Sequence, residues 1–290
     1  MSDNARAPDW VIPMMRAGYS ARGVVYLILG GLTLSAAWSG GQAEGTKGAI
    51  ETLRDQPFGQ ILLWIVALGF LCYAVWRWIA AYYDLERRGD DETGLFQRLA
   101  LVVTGLIHAA LGVGIAALAL GVGSGSGEGD SASNWTAKVL AMPGGKWIVG
   151  IAALCVAGAG VHYILKGWQK KYERYIQSNE KTRKLQPLLR WGFVSYGIVL
   201  AIVGVFLLFA AINSNPENAM GIGGALEYIR GMTGGRVLLG LIGLGILGFG
   251  VENFVEARYR VVPGVGSSDS LTTMATRAKM KAKAAAAQAT

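Results

Sequence analysis

The chain has 290 residues, of which 52% are hydrophobic and only 16% charged, and its mean hydropathy is +0.38. Soluble domains carry about 25% charged residues, so the composition excludes an ordinary water-soluble domain. The net charge of +8 would favour nucleic-acid binding only if a folded basic face lay outside the membrane. No such face is apparent, and we predict no nucleic-acid partner.

Six apolar runs are long enough to cross a bilayer, which takes about 20 residues. In chain order they are 17–38, 59–81, 99–122, 147–168, 191–212 and 236–255. The first run has no small-residue cleavage site after a short apolar core, so it is predicted to be a span and not a signal peptide. The sequence therefore predicts an all-α, multi-pass membrane protein.

The distribution of Lys and Arg predicts the orientation, because cytoplasmic flanks retain positive charge. The flanks around 39–58, 123–146 and 213–235 hold six of the 27 basic residues, which leaves 21 for the opposite flanks. Both termini are therefore expected on the cytoplasmic side of a bacterial inner membrane.

The chain contains three copies of a two-helix unit, which are visible when "RAGYSARGVVYLILG", "RLALVVTGLIHAALG" and "RWGFVSYGIVLAIVG" are aligned. An arginine opens each copy, and glycines follow at seven-residue intervals. Small residues let helix backbones approach closely in lipid, so these glycines are predicted to pack helices together: Gly23, Gly30, Gly105, Gly112, Gly197 and Gly204.

The second helix of each copy is introduced by "QPFG", "MPGG" or "MTGG". A short amphipathic stretch precedes it in the first copy (Ile50, Leu53) and the third (Leu226, Ile229) and predicts a helical turn on the outer surface. In the second copy the corresponding region, 121–135, is predicted to be an expanded loop.

Two spans per copy give all copies the same orientation, which predicts three hairpins around a pseudo-threefold axis along the membrane normal. We divide the chain into an N-terminal cytoplasmic segment (1–13), hairpin repeats (14–90, 91–180 and 181–260) and a basic cytoplasmic tail (261–290) that is expected to be mobile.

The stretches "ARGVVYLILGG", "GAIETLRDQPFG" and "LGFLCYAVWRW", in a chain of three tandem two-helix units, resemble the bacterial "domain of unknown function 1206" membrane proteins. The resemblance covers about residues 14–260 and is strongest in the first copy. It implies a cytoplasmic-membrane protein with three hairpins, and it supplies no catalytic residues.

Ionisable and polar residues at membrane depth are functional candidates, because their desolvation is costly. The candidates for ligand binding or proton relay are His108, His162, Glu252, Tyr26, Trp76 and Arg77. His162 and Glu252 occupy equivalent columns of the repeat, whereas His108 aligns with Tyr26. We expect the polar groups to share one layer and expect Arg22 and Arg77 to extend to the membrane surface.

Four roles fit such a layer. The preferred one is a non-catalytic protein that binds a lipid or small hydrophobic ligand between its hairpins. The alternatives are a proton-linked small-solute transporter, an accessory subunit of a membrane-protein complex, and a haem protein with His108 and His162 as axial ligands. A site of two histidines and Glu252 would match one common metal-ligand set. Simple packing of these side chains competes with each role, so no cofactor, resident metal or catalytic residue is predicted.

Overall fold

The computed structural model describes residues 10–40, 43–122 and 128–262, with the side chains of 128–131 left aside. Expectations for the chain before residue 10 and for the tail beyond residue 262 concern residues outside these ranges. Within them the chain forms nine α-helices: α1 Val11–Ser39, α2 Thr46–Arg54, α3 Gly59–Tyr82, α4 Glu92–Ala119, α5 Glu128–Leu140, α6 Gly145–Trp168, α7 Glu180–Asn213, α8 Ile222–Gly231 and α9 Gly235–Tyr259.

Helices α1, α3, α4, α6, α7 and α9 are each long and apolar enough to cross a membrane, which confirms the six predicted spans. The short helices α2, α5 and α8 each precede the second span of a repeat. The amphipathic side chains of α2 and α8 are buried in the protein core rather than lying on a membrane surface. The prediction of a loop over 121–135 was wrong from residue 128 onward, where α5 begins.

The same tight turn leads into the second span of every repeat. Spans α3, α6 and α9 begin at Gly59, Gly145 and Gly235, and the residue before each has a positive φ of 62°, 73° and 72°. A Cβ on these glycines would lie 1.8, 2.0 and 2.1 Å from a carbonyl oxygen of the preceding short helix. Only glycine fits where the short helix folds back on the span.

The second span of each repeat packs on the first span of the next repeat: α3 on α4, α6 on α7, and α9 on α1. The glycines aligned in the sequence lie in these interfaces. A Cβ on Gly204 would lie 2.5 Å from a backbone nitrogen of α6, and one on Gly30 would lie 2.7 Å from a backbone nitrogen of α9. A Cβ on Gly105 would lie 2.4 Å from the indole nitrogen of Trp78 on α3.

Contacts within the repeats are uneven. The two spans of the first repeat pack together, as do those of the third, but α4 and α6 of the middle repeat make almost no contact. The spans therefore form an open ring in the order α4, α3, α1, α9, α7, α6. We call the opening between α4 and α6 the middle gap.

The two described ends of the chain lie on the same side of the bundle, because Val11 and Val262 belong to one hydrophobic cluster with Leu85. This side also carries the α3–α4 and α6–α7 connections, and we call it the basic side. The side with α2, α5 and α8 is the outer-helix side.

Gly204→Ala should destabilise the protein by about 1–3 kcal/mol, because the added methyl overpacks a backbone contact between α6 and α7. The matched control is Gly114→Ala in α4, where an added Cβ meets no atom within 4 Å. Thermal unfolding in detergent should show a lower midpoint for Gly204→Ala alone. Equal midpoints in the two variants would contradict the proposed packing.

Candidate functional site

The middle gap lies where the second repeat lacks the large side chains of the other two. One repeat column holds Tyr73 in α3 and Phe249 in α9, which are 0% and 1% exposed. The middle copy has Ala159 at this position, and it is only half-buried. An aromatic ring fills much of the space between two helices, whereas a methyl group does not. This substitution removes a ring from the place where α6 would otherwise meet α4.

At three further positions of the second span, the middle repeat is more exposed than the other two repeats. Buried residues of α3 and α9 correspond in the middle copy to side chains that are exposed or half-buried. The columns, in repeat order, are Val66/Ala152/Ile242, Trp76/His162/Glu252 and Ala80/Lys166/Glu256. The core-facing stripe of the repeat is therefore small or polar in α6, and it is open.

In α4, the first span of the middle repeat, core positions of the repeat are likewise more exposed than in α1 and α7. Leu111 of α4 is 40% exposed, whereas the equivalent Leu29 and Val203 are 0% and 8% exposed. Thr104 is half-buried, although its counterparts Arg22 and Tyr196 are buried. The opening thus has a wall on each helix.

Helical spacing places the wall residues of α6 in one stripe. They lie beside Tyr163, whose ring centre is 5.8 Å from that of Phe249 on α9, so the stripe borders the side of α6 that faces α9. The gap residues are Thr104 and Leu111 on α4, and Ala152, Cys155, Ala159, His162 and Lys166 on α6.

His108 packs against α3. Its ring centre lies 4.5 Å from Tyr73 and 5.6 Å from Phe70. Its Nδ1 lies 2.8 Å from the carbonyl oxygen of Thr104, which can only accept, so Nδ1–H donates and Nε2 is left as an acceptor. The hydrogen bond stays within α4 and does not join two helices.

His162 lies on the other border of the gap, on α6, and its side chain is exposed. Glu252 is buried in α9, where it contacts the Glu256 carboxyl one helical turn away. Within the described ranges, no three His, Cys, Asp or Glu side chains gather as a metal-ligand set. The histidines and Glu252 therefore do not form one cluster.

Tyr26 and Trp76 lie in packed surroundings. The Tyr26 and Tyr196 hydroxyl oxygens are 2.8 Å apart, and both rings pack on Phe249 at centroid distances of 4.9 and 4.2 Å. Trp76 is fully buried, and its Nε1–H has no partner among the described residues. Aromatic side chains thus fill the space between α1, α7 and α9.

Arg22 and Arg77 share the hydroxyl oxygen of Tyr73. Arg22 donates to it at 2.6 Å and Arg77 at 2.8 Å. The Arg22 guanidinium also lies 4.5 Å from the centre of the Tyr73 ring, which suits a cation–π contact. Arg22 is only 4% exposed, so the expectation that it extends to the membrane surface was wrong.

The repeats match a known family. The sequence profile described as Domain of Unknown Function (DUF1206) matches residues 17–84, 99–170 and 191–260. The chain belongs to the DUF1206 family.

A relative from Bacillus subtilis (strain 168), "Uncharacterized protein YxxB", is 26% identical over 255 residues, which cover 87% of this chain and 92% of the relative. No solved structure matches the chain. The family and this relative identify a membrane protein built from three DUF1206 regions and leave its role open.

This DUF1206 chain also carries an ionic cluster that the repeat pattern did not reveal. Glu86, in the connection from α3 to α4, lies 2.6 Å from Arg260 at the end of α9 and 2.5 Å from Arg88. Arg260 also donates to Glu256. The cluster joins the first and third repeats on the basic side. No sequence spacing indicates it, since Glu86 and Arg260 are 174 residues apart.

The cluster sets the charge of Glu86. Burial by itself would raise the pKa of this carboxyl, but the guanidinium groups of Arg260, Arg77 and Arg88 outweigh burial and lower the pKa to about 2. Glu86 therefore stays ionised, and each state in which it is protonated loses these contacts.

A small surface cavity of about 130 Å³ lies elsewhere on the basic side, at the α6–α7 connection. Its lining includes Tyr172, Gln177, Thr182 and Gln186. It has space for a handful of water molecules, and it is separate from the middle gap, which is a lateral opening between helices. We assign the gap and not this cavity as the candidate site.

Ala159→Phe should fold with no loss of stability, because the middle gap has room for the ring that the other repeats carry. Ala153→Phe is the matched control: Ala153 is fully buried in α6, where a ring would overpack the core and cost about 1–3 kcal/mol. Thermal unfolding of both variants checks this. Comparable destabilisation by the two substitutions would mean that the gap is closed.

Glu86→Gln should flatten the acid limb of the stability profile. Because the pKa of Glu86 is about 2 in the folded protein against an ordinary value of 4.5, its contribution is fully present above 4.5 and is lost as the pH falls toward 2. The variant should be less stable than the wild type near neutral pH and should converge with it in acid. Parallel profiles of thermal midpoint against pH would contradict this role.

Proposed function

We propose that this protein is a non-catalytic, multi-pass protein of the bacterial cytoplasmic membrane that binds a lipid or another small hydrophobic molecule in the middle gap. The observation that carries the proposal is the change at Ala159, His162 and Leu111, where the core positions of two repeats are open in the third. Small-molecule sites are concave and mostly apolar, with a few polar groups. The middle gap has this composition.

The low burial of the two bordering helices supports the proposal. The apolar windows of α4 and α6 are 22% and 17% buried, against 44–56% for the other four spans. Small side chains in a span normally mark close helix packing, but Ala152 and Ala159 face an opening. An occupant from the bilayer accounts for small residues that no helix covers.

The ligand position that we propose differs from the one predicted from the sequence. Tyr26 and Trp76 are packed among protein side chains, so we assign the ligand contacts to the gap residues, of which His162 is the one candidate carried over from the sequence. Arg77 and Glu252 contribute to buried polar contacts on the basic side.

Two aspects of the architecture belong to the proposal. We assign the basic side to the cytoplasm, supported by the basic residues of its connections, such as Arg88, Lys170 and Lys171, and by the positive-inside rule. We also infer a pseudo-threefold axis, supported by the same span-to-span packing at all three repeat boundaries. The middle gap is then the place where the threefold arrangement is broken.

Proton-linked transport, an accessory role in a membrane complex and haem binding stay predictions. Glu252 is buried beside Glu256 on α9, whereas His162 borders the gap and His108 packs on α3. No contact among the described residues favours a relay through all three. Haem binding would use both histidines as axial ligands. Because bound haem gives a Soret band, a purified sample without Soret absorption would end this hypothesis.

Native mass spectrometry of the full chain, released from mild detergent, tests lipid binding. The wild type should retain at least one lipid-sized adduct, and Ala159→Phe should lose most of it, because the ring occupies the gap. The control is Val161→Phe, which adds the same ring on an outward, 52% exposed position of α6. It should retain the adduct.

A wild type without any adduct would contradict the proposed function. Equal retention by Ala159→Phe and the wild type would place the ligand outside the middle gap and would contradict the assignment of the site.

A further inference from the structure

We propose that the occupant of the middle gap is an anionic phospholipid whose head group lies at the basic end of the gap, against Lys166, Lys171 and His162. This inference rests on the proposed function and specifies the ligand class and its direction in the membrane.

Positive charge collects at the basic end of the gap. Lys166 is the last residue of the open stripe of α6 and lies one turn after His162. Lys171 follows just beyond the end of the helix. Arg88, in the α3–α4 connection, is within electrostatic range of His162, but its guanidinium is bound by Glu86. The two lysines therefore supply the positive charge at this end.

Neither Lys166 nor Lys171 forms a salt bridge with a carboxylate in the described part of the chain. Lys166 Nζ lies 4.4 Å from the centre of the Phe193 ring on α7, which is a cation–π distance. Glu252 and Glu256 are within electrostatic reach of Lys166, but Glu256 is already bound by Arg260.

The rest of the gap is apolar. Toward the outer-helix side, its walls are Leu111 on α4 and Cys155 and Ala152 on α6, all exposed. A ligand that fits must therefore be anionic at one end and apolar along the other. Basic pockets between membrane helices on the cytoplasmic side bind anionic lipid head groups. A phospholipid lying parallel to α4 and α6, with its acyl chains between them, meets both conditions.

The probes are phosphatidylglycerol and phosphatidylcholine with identical acyl chains, mixed in equal amounts with the purified full chain and read by native mass spectrometry. The wild type should retain phosphatidylglycerol preferentially. In the double variant Lys166→Gln/Lys171→Gln the preference should fall about thirtyfold, since a basic residue near an anionic head group contributes about fivefold. Lys166→Arg/Lys171→Arg should keep the preference, because charge is retained.

The matched control is Lys138→Gln/Lys146→Gln, which removes two lysines at the outer-helix side; there they lie over Trp135 and Trp147. It should leave the preference unchanged, and equal thermal midpoints should show that all the double variants are folded.

Each remaining outcome has a separate meaning. If the wild type retains both lipids equally and Ala159→Phe loses both, the gap binds lipid but the head-group inference is wrong. An unchanged preference in Lys166→Gln/Lys171→Gln, or an equal loss in the outer control, would also overturn it. If the wild type retains neither phospholipid, the phospholipid inference is wrong, and the proposed function fails only if the purified wild type also carries no adduct of any kind.

Discussion

Close backbone approach between the second span of one repeat and the first span of the next holds this protein together. Apolar side chains alone give little reason for helices to associate in lipid, because the acyl chains are equally apolar. Glycines at seven-residue spacing allow such contacts, as between Gly204 of α7 and the α6 backbone and between Gly30 of α1 and the α9 backbone. These interfaces connect all three repeats. Within the first and third repeats, Gly18 and Gly192 likewise bring the two spans into close backbone contact.

The middle gap follows from a difference in packing within the repeats. The first and third repeats close their own helix pairs with Tyr73, Trp76 and Phe249, which are almost fully buried. The middle repeat has Ala159 and His162 in these columns and can stay open, because α4 is held by α3 and α6 by α7. Opening one hairpin therefore does not require the bundle to come apart. A tandem repeat can in this way carry a binding site in one copy while the others provide the scaffold.

Much of the architecture could be read from sequence, because membrane spans and repeats have strong signals. Apolar runs gave all six spans, and the glycine motifs marked the residues at which α3, α6 and α9 begin. The same columns contained the signal for the gap, since Ala159 stands where the other copies have aromatic residues. That signal is ambiguous by itself, because a small side chain in a membrane span ordinarily indicates close helix packing.

Other features could not have been predicted in this way. Helical spacing gives the face on which a residue lies but not the helix that faces it, so the packing of His108 on Tyr73 and Phe70 was out of reach. The contact between Glu86 and Arg260 depends on how two chain connections meet. Arg22 lies near the end of its span in the sequence, yet an acceptor on α3 and aromatic faces hold it inside.

The openness of the middle repeat is the central claim, and oxygen accessibility of spin labels in a lipid bilayer tests it most directly. Single labels at residues 164, 159 and 161 of α6, in a chain with Cys72 and Cys155 replaced by alanine, compare its α7-facing, gap-facing and outward positions. A label at 159 should collide with oxygen nearly as often as the outward label at 161. If it is as protected as the label at 164, α6 is covered by protein at that position, and the middle gap does not exist.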